Sequence, residues 1–345
     1  MKNNKLKLIV RILLLTGTVI SLFYVPWILV KAWISPLPET VQAQVEDAID
    51  YGFDGIILYV DQAGKPPAFY TAGFDDRNKK TPVNPHSLFK IASISKLYVA
   101  VSIAKLAHGK QLSLDDTVAD HFPEYVGKIK FADQISVRML VQHRSGIPNF
   151  TNNPAYWENE QENGNNALEF AVALPVSFEP DQGYEYSNTN YLLLRQIIEK
   201  VTGDSHHQYI KDNILSPLHL KNTYFTINEV NLDDVMSGYY VGIEEDFKAN
   251  ENGMLATAQD VGIFLRALND GSVFEPGEQE IYSSIYVYEH GGLVPGYQSL
   301  AEYHKDIDTV VVQFTNTTNF DGYNWNLSEI NINRIVKILK QKKAQ

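Results

Sequence analysis

Strand-like patterning is confined to the two ends of the folded part of this chain, and no other feature constrains its architecture as much. The runs Gly55 to Val60 and Ala68 to Thr71, joined by the turn Asp61-Gln62-Ala63-Gly64, lie early. Strand signals return only at 283–290, 298–304 and 309–315. Between them, from Ser93 to about Asn269, the apolar spacing is mostly helical, at 93–108, 135–143, 189–202, 205–214 and 257–269. A helix from about Pro38 to Asp50 precedes the first strand, and a basic amphipathic helix over 327–342 follows the last. This layout predicts an α+β fold: one antiparallel sheet completed by both ends of the chain, flanked by terminal helices, with a helical domain inserted. At 345 residues and 44% apolar content the chain has material for a large core.

The N-terminus is unlike the rest. Ile12 to Val30 are 19 consecutive uncharged, mostly apolar residues, long enough for the hydrocarbon core of a bilayer. Lys2, Lys5, Lys7 and Arg11 precede them, which by the positive-inside rule places residue 1 in the cytoplasm and the remainder outside. The nearest small-x-small cleavage pattern, Val41-Gln42-Ala43, lies 13 residues past Val30, so the segment reads as an uncleaved signal anchor. Residues 1–33 are thus expected to be a cytoplasmic tail and single-pass anchor at the cell membrane, and 34–345 an extracytoplasmic domain with its mostly helical part over about 93–269. Residues 32–345 carry 24 basic against 41 acidic side chains, a formal −17 that argues against nucleic-acid binding.

The chemistry centres on Ser-x-x-Lys. Residues three apart share a helix face, so a buried, neutral lysine can serve as general base for the serine. The chain contains the tetrad three times, at Ser87 to Lys90, Ser93 to Lys96 and Ser102 to Lys105. Ser93 stands in the first turn of the apolar helix that runs to Gly109, where backbone N–H groups lack intrahelical partners and the macrodipole favours an oxyanion. Ser87 precedes that helix and Ser102 lies in its middle, so neither offers such a donor. The absence of Cys excludes disulfides, thiolate metal sites and cysteine nucleophiles. The nine His show no metal-ligand spacing, so neither cofactor nor metal is expected; His206-His207 reads as a helix start and His143 as a structural residue under the loop carrying Ser145-Gly146.

Downstream stand Tyr186-Ser187-Asn188 and His290-Gly291-Gly292-Leu293. In this order and at these separations the three elements resemble the serine β-lactamase and penicillin-binding-protein superfamily, in its branch of class C β-lactamases, D-Ala-D-Ala carboxypeptidases and related esterases. The resemblance covers most of the chain from about Tyr51. Phe89 to Lys96 is similar to the family's nucleophile block, Leu140 to Pro148 to its LLxHxSGLP segment, and Asn252 to Asp260 to its GGLxSTAxD segment.

The resemblance implies a β-lactamase/transpeptidase-like fold with its site in the cleft between the sheet and the helical part. It implies Ser93 as acylated nucleophile, Lys96 as proton acceptor and Tyr186 as a proton relay whose pKa a charged Lys96 would lower. Asn188 would bond Lys96 and the substrate amide, His290, Gly291 and Gly292 would line the substrate strand, and the backbone N–H groups of Ser93 and Leu293 would form the oxyanion hole. One departure stands out: β-lactamases carry Lys-Thr-Gly where this chain has His290-Gly291-Gly292, removing a fixed cation and a hydroxyl. Weaker carboxylate recognition follows. The expected activity is an extracytoplasmic serine hydrolase acting on small esters, amides or D-amino-acid peptides, with a small-molecule or cell-wall peptide substrate and the membrane as its partners. The alternatives are an acyl-binding sensor with little turnover and an inactive scaffold. The acidic, Asn-rich stretch Asn152 to Asn166 reads as a surface loop near the cleft, in which Tyr156 and Trp157 pack the loop or touch substrate.

Overall fold

A computed structural model describes residues 2–159, 166–251 and 253–343. Its centre is a six-stranded antiparallel sheet built from both ends of the chain. We label its strands β1 (Gly55–Gln62), β2 (Ala68–Asp76), β3 (Thr81–Pro82), β4 (His290–Val294), β5 (Tyr297–His304) and β6 (Thr309–Thr315). The spatial order is β3-β2-β1-β6-β5-β4, so the early and late segments meet where Ile56 faces Thr315. β4 is an outer strand, with His290 opposite Ala301 and Gly292 opposite Ser299. The predicted runs at 55–60, 68–71, 298–304 and 309–315 all fall on these strands.

Successive side chains of a strand point to opposite faces, and here both faces are covered. Ile56, Leu58 and Val311 pack with helices α3 (Val41–Ile49) and α7 (Asn324–Lys343), through Val45, Ile335 and Leu339. Ile57, Tyr59, Val310 and Val312 face the other way, into the large core shared with the helical part. On that side lies α6 (Ala258–Asp270), whose Gly262 has its Cα against the Tyr59 ring; a Cβ there would come within 2.2 Å of it. The helix predicted over 257–269 therefore covers the sheet instead of belonging to the insert.

The insert is organised around α4 (Ser95–His108), which buries Leu97, Tyr98, Val99, Ala100, Val101, Ile103, Ala104 and Leu106 around its whole circumference. A helix apolar on every side is a central helix. Tyr98 stacks on Phe264 of α6 at 3.8 Å, and Lys105 pairs with Glu278 at 2.8 Å, tying α4 to its neighbours. Helix α5 (Asn188–Thr202) buries Tyr191, Leu194 and Ile198 against α4 and ends at Gly203, φ +78.

Two expectations need correction. The segment 283–290 is not a strand: a helix spans Glu278–Ser283, Ser283 and Ser284 bond back to the carbonyls of Glu280 and Ile281, and pairing begins only at His290. Tyr282 and Ile285 are buried in the helical core, so the apolar alternation there reflects packing and not ladder formation.

The N-terminal run is not one straight span. It forms α1 (Lys2–Leu22) and α2 (Trp27–Ile34), and Lys5–Leu22 and Trp27–Ile34 are bent by 77° from each other. No single helix among the described residues is long and apolar enough to cross a membrane; the bent pair passes by length and composition together. Pro26, which has no N–H to donate and clashes with the preceding turn, marks the break. Helix α2 is tied to the domain: Ala32 is 1% exposed in the α3–α7 cluster, and Arg334 of α7 donates to the carbonyls of Ser35 and Pro36. In the Asn152 to Asn166 stretch, residues 160–165 lie outside the described residues, as does Asn252. Tyr156 there is buried against Phe150 and Phe170, while Trp157 is 44% exposed with its indole N–H on the Thr151 carbonyl.

Candidate active site

The turn that enters α4 presents Ser93. Ala92 before it adopts φ +49, a left-handed conformation that costs a non-glycine residue about 1–2 kcal/mol. Residues Ala92–Ile94 then make a 3₁₀ turn that runs into the helix. Three residues on, Lys96 places Nζ 3.1 Å from Ser93 Oγ and 2.8 Å from Asn188 Oδ1. The Tyr186 hydroxyl donates to Ser93 Oγ at 2.8 Å. The rings of Tyr186 and Tyr191 lie 5.0 and 5.5 Å from Lys96 Nζ. In the other two tetrads serine and lysine go separate ways. Ser87 donates to Asp75 and Lys90 to the carbonyls of Phe247 and Asn250; Ser102 donates to the Tyr98 carbonyl and Lys105 to Glu278.

Burial sets the protonation states. Lys96 is 4% exposed, and desolvation, with repulsion from the Arg195 guanidinium, holds its amine well below the usual lysine range. A neutral amine beside Ser93 can accept the hydroxyl proton. Tyr186 is pushed up to about 12, chiefly by burial, against the lowering effects of its bond to Ser93 and of Arg195. This corrects the expectation that Lys96 lowers the phenol: burial raises it and Lys96 is not among the groups that shift it, so Tyr186 is a protonated donor. His143, buried beneath Tyr186 with ring centroids 4.5 Å apart, is driven down to about 3 by desolvation and by Lys96 and His290. Its Nδ1 accepts the Ser187 N–H at 3.1 Å, which fixes the Tyr186-Ser187-Asn188 turn.

The outer strand β4 supplies the other wall. Gly292 sits directly on the nucleophile turn: a Cβ there would lie 2.3 Å from the Ile91 carbonyl oxygen, 2.4 Å from Ser299 Oγ and 3.1 Å from Ala92 Cβ. Leu293 follows on the same strand, opposite Gln298. His290 faces Tyr186, ring centroids 6.3 Å apart. Gly291 faces the opposite way, and its Cβ would meet Trp325 of α7 at 2.5 Å. A threonine hydroxyl at 291 would thus find an indole where the resemblance implies a substrate group. An open cleft of ≈ 570 Å³ lies alongside, lined by Gln142, Tyr184, Tyr186, Tyr286, Glu289 and His290 among others.

Asn188, Tyr191 and Arg195 stand at i, i+3 and i+7 of α5, on one face turned to Lys96. Only Asn188 was recognisable from a motif; the spacing of the other two was visible, but not what the face would meet. Asn149 was missed as well: its Oδ1 accepts the Asn188 N–H at 3.2 Å. Among the described residues no group of three or more His, Cys, Asp or Glu is arranged to hold a metal ion.

A profile of the Beta-lactamase family matches residues 31–284. Protein flp of Staphylococcus aureus (strain MW2) is 31% identical over 192 residues, 53% of this chain and 38% of its own length. Penicillin-binding protein 4* of Bacillus subtilis (strain 168) is 31% identical over 177 residues, 50% of this chain and 38% of its own. The matched stretches amount to about two fifths of these curated relatives' length. Among solved structures, D-amino acid amidase from Ochrobactrum anthropi SV3, complexed with L-phenylalanine amide, superposes with TM-score 0.78 at 23% identity, covering 88% of this chain and 98% of that one. The penicillin binding protein from Bacillus halodurans gives 0.71 at 18%, covering 86% and 98%. At those identities the likeness is one of fold.

Proposed function

Because this chain belongs to the Beta-lactamase family, we propose that it is a serine hydrolase working through a covalent acyl-enzyme on Ser93, with small esters, amides or D-amino-acid peptides as substrates. One observation carries this reading: Ser93 Oγ lies between a phenol donor at 2.8 Å and a desolvated amine at 3.1 Å. In acylation Lys96 Nζ takes the Ser93 proton as Oγ attacks the carbonyl carbon. The backbone N–H groups of Ser93 and Leu293 receive the oxyanion. The leaving group takes a proton from Tyr186, which Lys96 restores, and water activated by the same pair releases the acyl group. Asn188 holds Lys96 and the substrate amide, while His290, Gly291 and Gly292 form the strand along which substrate lies.

Amide and ester substrates are favoured by the departure from Lys-Thr-Gly and by the name of the structurally similar D-amino acid amidase. The N-terminal part is proposed as a membrane anchor that keeps the catalytic domain outside the cytoplasm. The basic flank Lys2 to Arg11 supports that orientation, with α1 and α2 supplying the apolar length in two pieces. The function is tested by following intact mass over time with a fluorophosphonate, a β-lactam and a panel of p-nitrophenyl esters. Turnover of an ester with transient acylation supports a hydrolase; a stable adduct without turnover identifies an acyl-binding sensor.

A further inference from the structure

The wall of the cleft that faces Ser93 contains a histidine with no free hydrogen-bonding nitrogen. His290 Nδ1 lies 2.5 Å from the Gly291 carbonyl oxygen, and Nε2 lies 3.0 Å from Tyr286 Oη. A carbonyl oxygen only accepts, so Nδ1 carries the proton; in the neutral ring Nε2 is then the acceptor of a hydrogen bond that the Tyr286 hydroxyl donates. The two rings are stacked, 25° apart in plane with centroids at 6.0 Å. The Tyr286 ring also packs against that of Tyr191 on α5, centroids 5.6 Å apart.

We infer that Tyr286 is a positioning residue that sets specificity: by occupying His290 Nε2 it commits the cleft to substrates whose group beside the scissile bond is an uncharged carboxamide or ester, not a carboxylate. This deepens the hydrolase reading above and rests on it. The groups around His290 agree. Lys96 on α4 is held well below the usual lysine range, Tyr186 and Tyr286 are protonated phenols, and His143 is uncharged near neutral pH. Burial brings His290 down to about 4, against the raising effect of its bond to the Gly291 carbonyl and with a smaller push from Lys96, so it offers no charge at neutral pH. Among the described residues lining the cleft there is no lysine or arginine, and the one carboxyl, Glu289, is raised by burial. A carboxylate entering here would lose water and gain no cation, a loss that burial makes costly.

The test uses the full chain and its Tyr286→Phe variant on a matched pair of D-amino-acid dipeptides, one ending in a free carboxylate and one in a carboxamide, over pH 5–8. The wild type is expected to prefer the carboxamide in kcat/KM by about tenfold or more, the worth of one hydrogen bond to a charged group, at every pH in the range. In Tyr286→Phe the freed Nε2 can be protonated and then donate to a carboxylate, so the carboxylate substrate's relative kcat/KM should rise several-fold at the acid end and stay near its wild-type value at pH 8. An unchanged ratio in the variant at the acid end, or a wild type that prefers the carboxylate, overturns the inference. Fluorophosphonate labelling of Ser93 is read in parallel: labelling with an unchanged ratio sinks this inference alone, whereas no labelling of the wild type sinks the hydrolase reading. Nitrogen-15 NMR of histidine-labelled wild type decides independently of turnover or of the variant's folding. A neutral, Nδ1-protonated His290 through pH 6 supports the inference; an Nε2-protonated or charged ring there refutes it.

Discussion

Replacing Gly292 by alanine should damage catalysis far more than a single methyl group suggests. The added Cβ would lie 2.3 Å from the Ile91 carbonyl oxygen and 3.1 Å from Ala92 Cβ, both belonging to the turn that presents Ser93. Ordinary carbon–oxygen contact needs a little over 3 Å, so β4 must withdraw by about 1 Å, because backbone cannot swing aside as a flexible side chain can. That shift takes the Leu293 N–H away from Ser93. Loss of one oxyanion donor costs about 10²–10³ in kcat, and a displacement of about 1 Å is enough to cost on the order of 10². The assay is kcat on a p-nitrophenyl ester, with circular dichroism and thermal melting to show that the sheet persists. Gly291→Ala is the contrast: its Cβ meets the Trp325 ring at 2.5 Å on the far face, so the variant should lose thermal stability and regain it when Trp325 is reduced to leucine. A folded Gly292→Ala protein with kcat within about threefold of wild type, where a lost donor costs about 10² or more, would refute the placement of β4 as the oxyanion wall.

Replacing Arg195 by methionine removes a cation that lowers Lys96, so the amine becomes more basic, and the acid limb of kcat/KM, which requires neutral Lys96, should move to higher pH. Arg195→Lys should leave the limb near its wild-type position, and a limb that does not move in the methionine variant counts against Lys96 as the base. Penicillins and cephalosporins should be turned over slowly; kcat/KM within roughly 10⁴–10⁸ M⁻¹s⁻¹ would contradict the loss of carboxylate recognition. Fractionation should leave the full chain in the membrane pellet through carbonate washing, with protease on intact spheroplasts removing the domain beyond residue 35; a soluble product beginning near Gln44 would show a cleaved signal instead.

Much of the architecture was legible because local pattern and tertiary environment agree. The Val- and Ile-rich runs of β1 and β6 read as strands since both their faces are buried, and Ser93 could be preferred over Ser87 and Ser102 because it alone stands at the mouth of an apolar helix. The misreading at 283–290 has the same origin seen from the other side: Tyr282 and Ile285 are apolar because they fill the helical core, which yields alternation without a strand partner. Pro26 reads in the sequence as one more uncharged residue of the N-terminal run, yet with no N–H to donate to the Leu22 carbonyl it follows the end of α1 at Leu22 and stands as the N-cap of α2. Arg195, Tyr191 and Tyr286 belong to no motif, and their importance comes from what α5 and the loop before β4 approach in space. Gly291 shows the limit of carrying a motif over: its position in the string is the family's, while the space beside it is occupied by Trp325.

Peptide mapping of the acylated protein tests the central claim most directly. Incubation with a fluorophosphonate or a slowly hydrolysed ester, followed by digestion and mass spectrometry, should place the adduct on Ser93. Ser93→Ala should abolish it, while Ser87→Ala and Ser102→Ala retain it. An adduct on any other serine, or full ester turnover by Ser93→Ala, would contradict the assignment of Ser93 as the nucleophile.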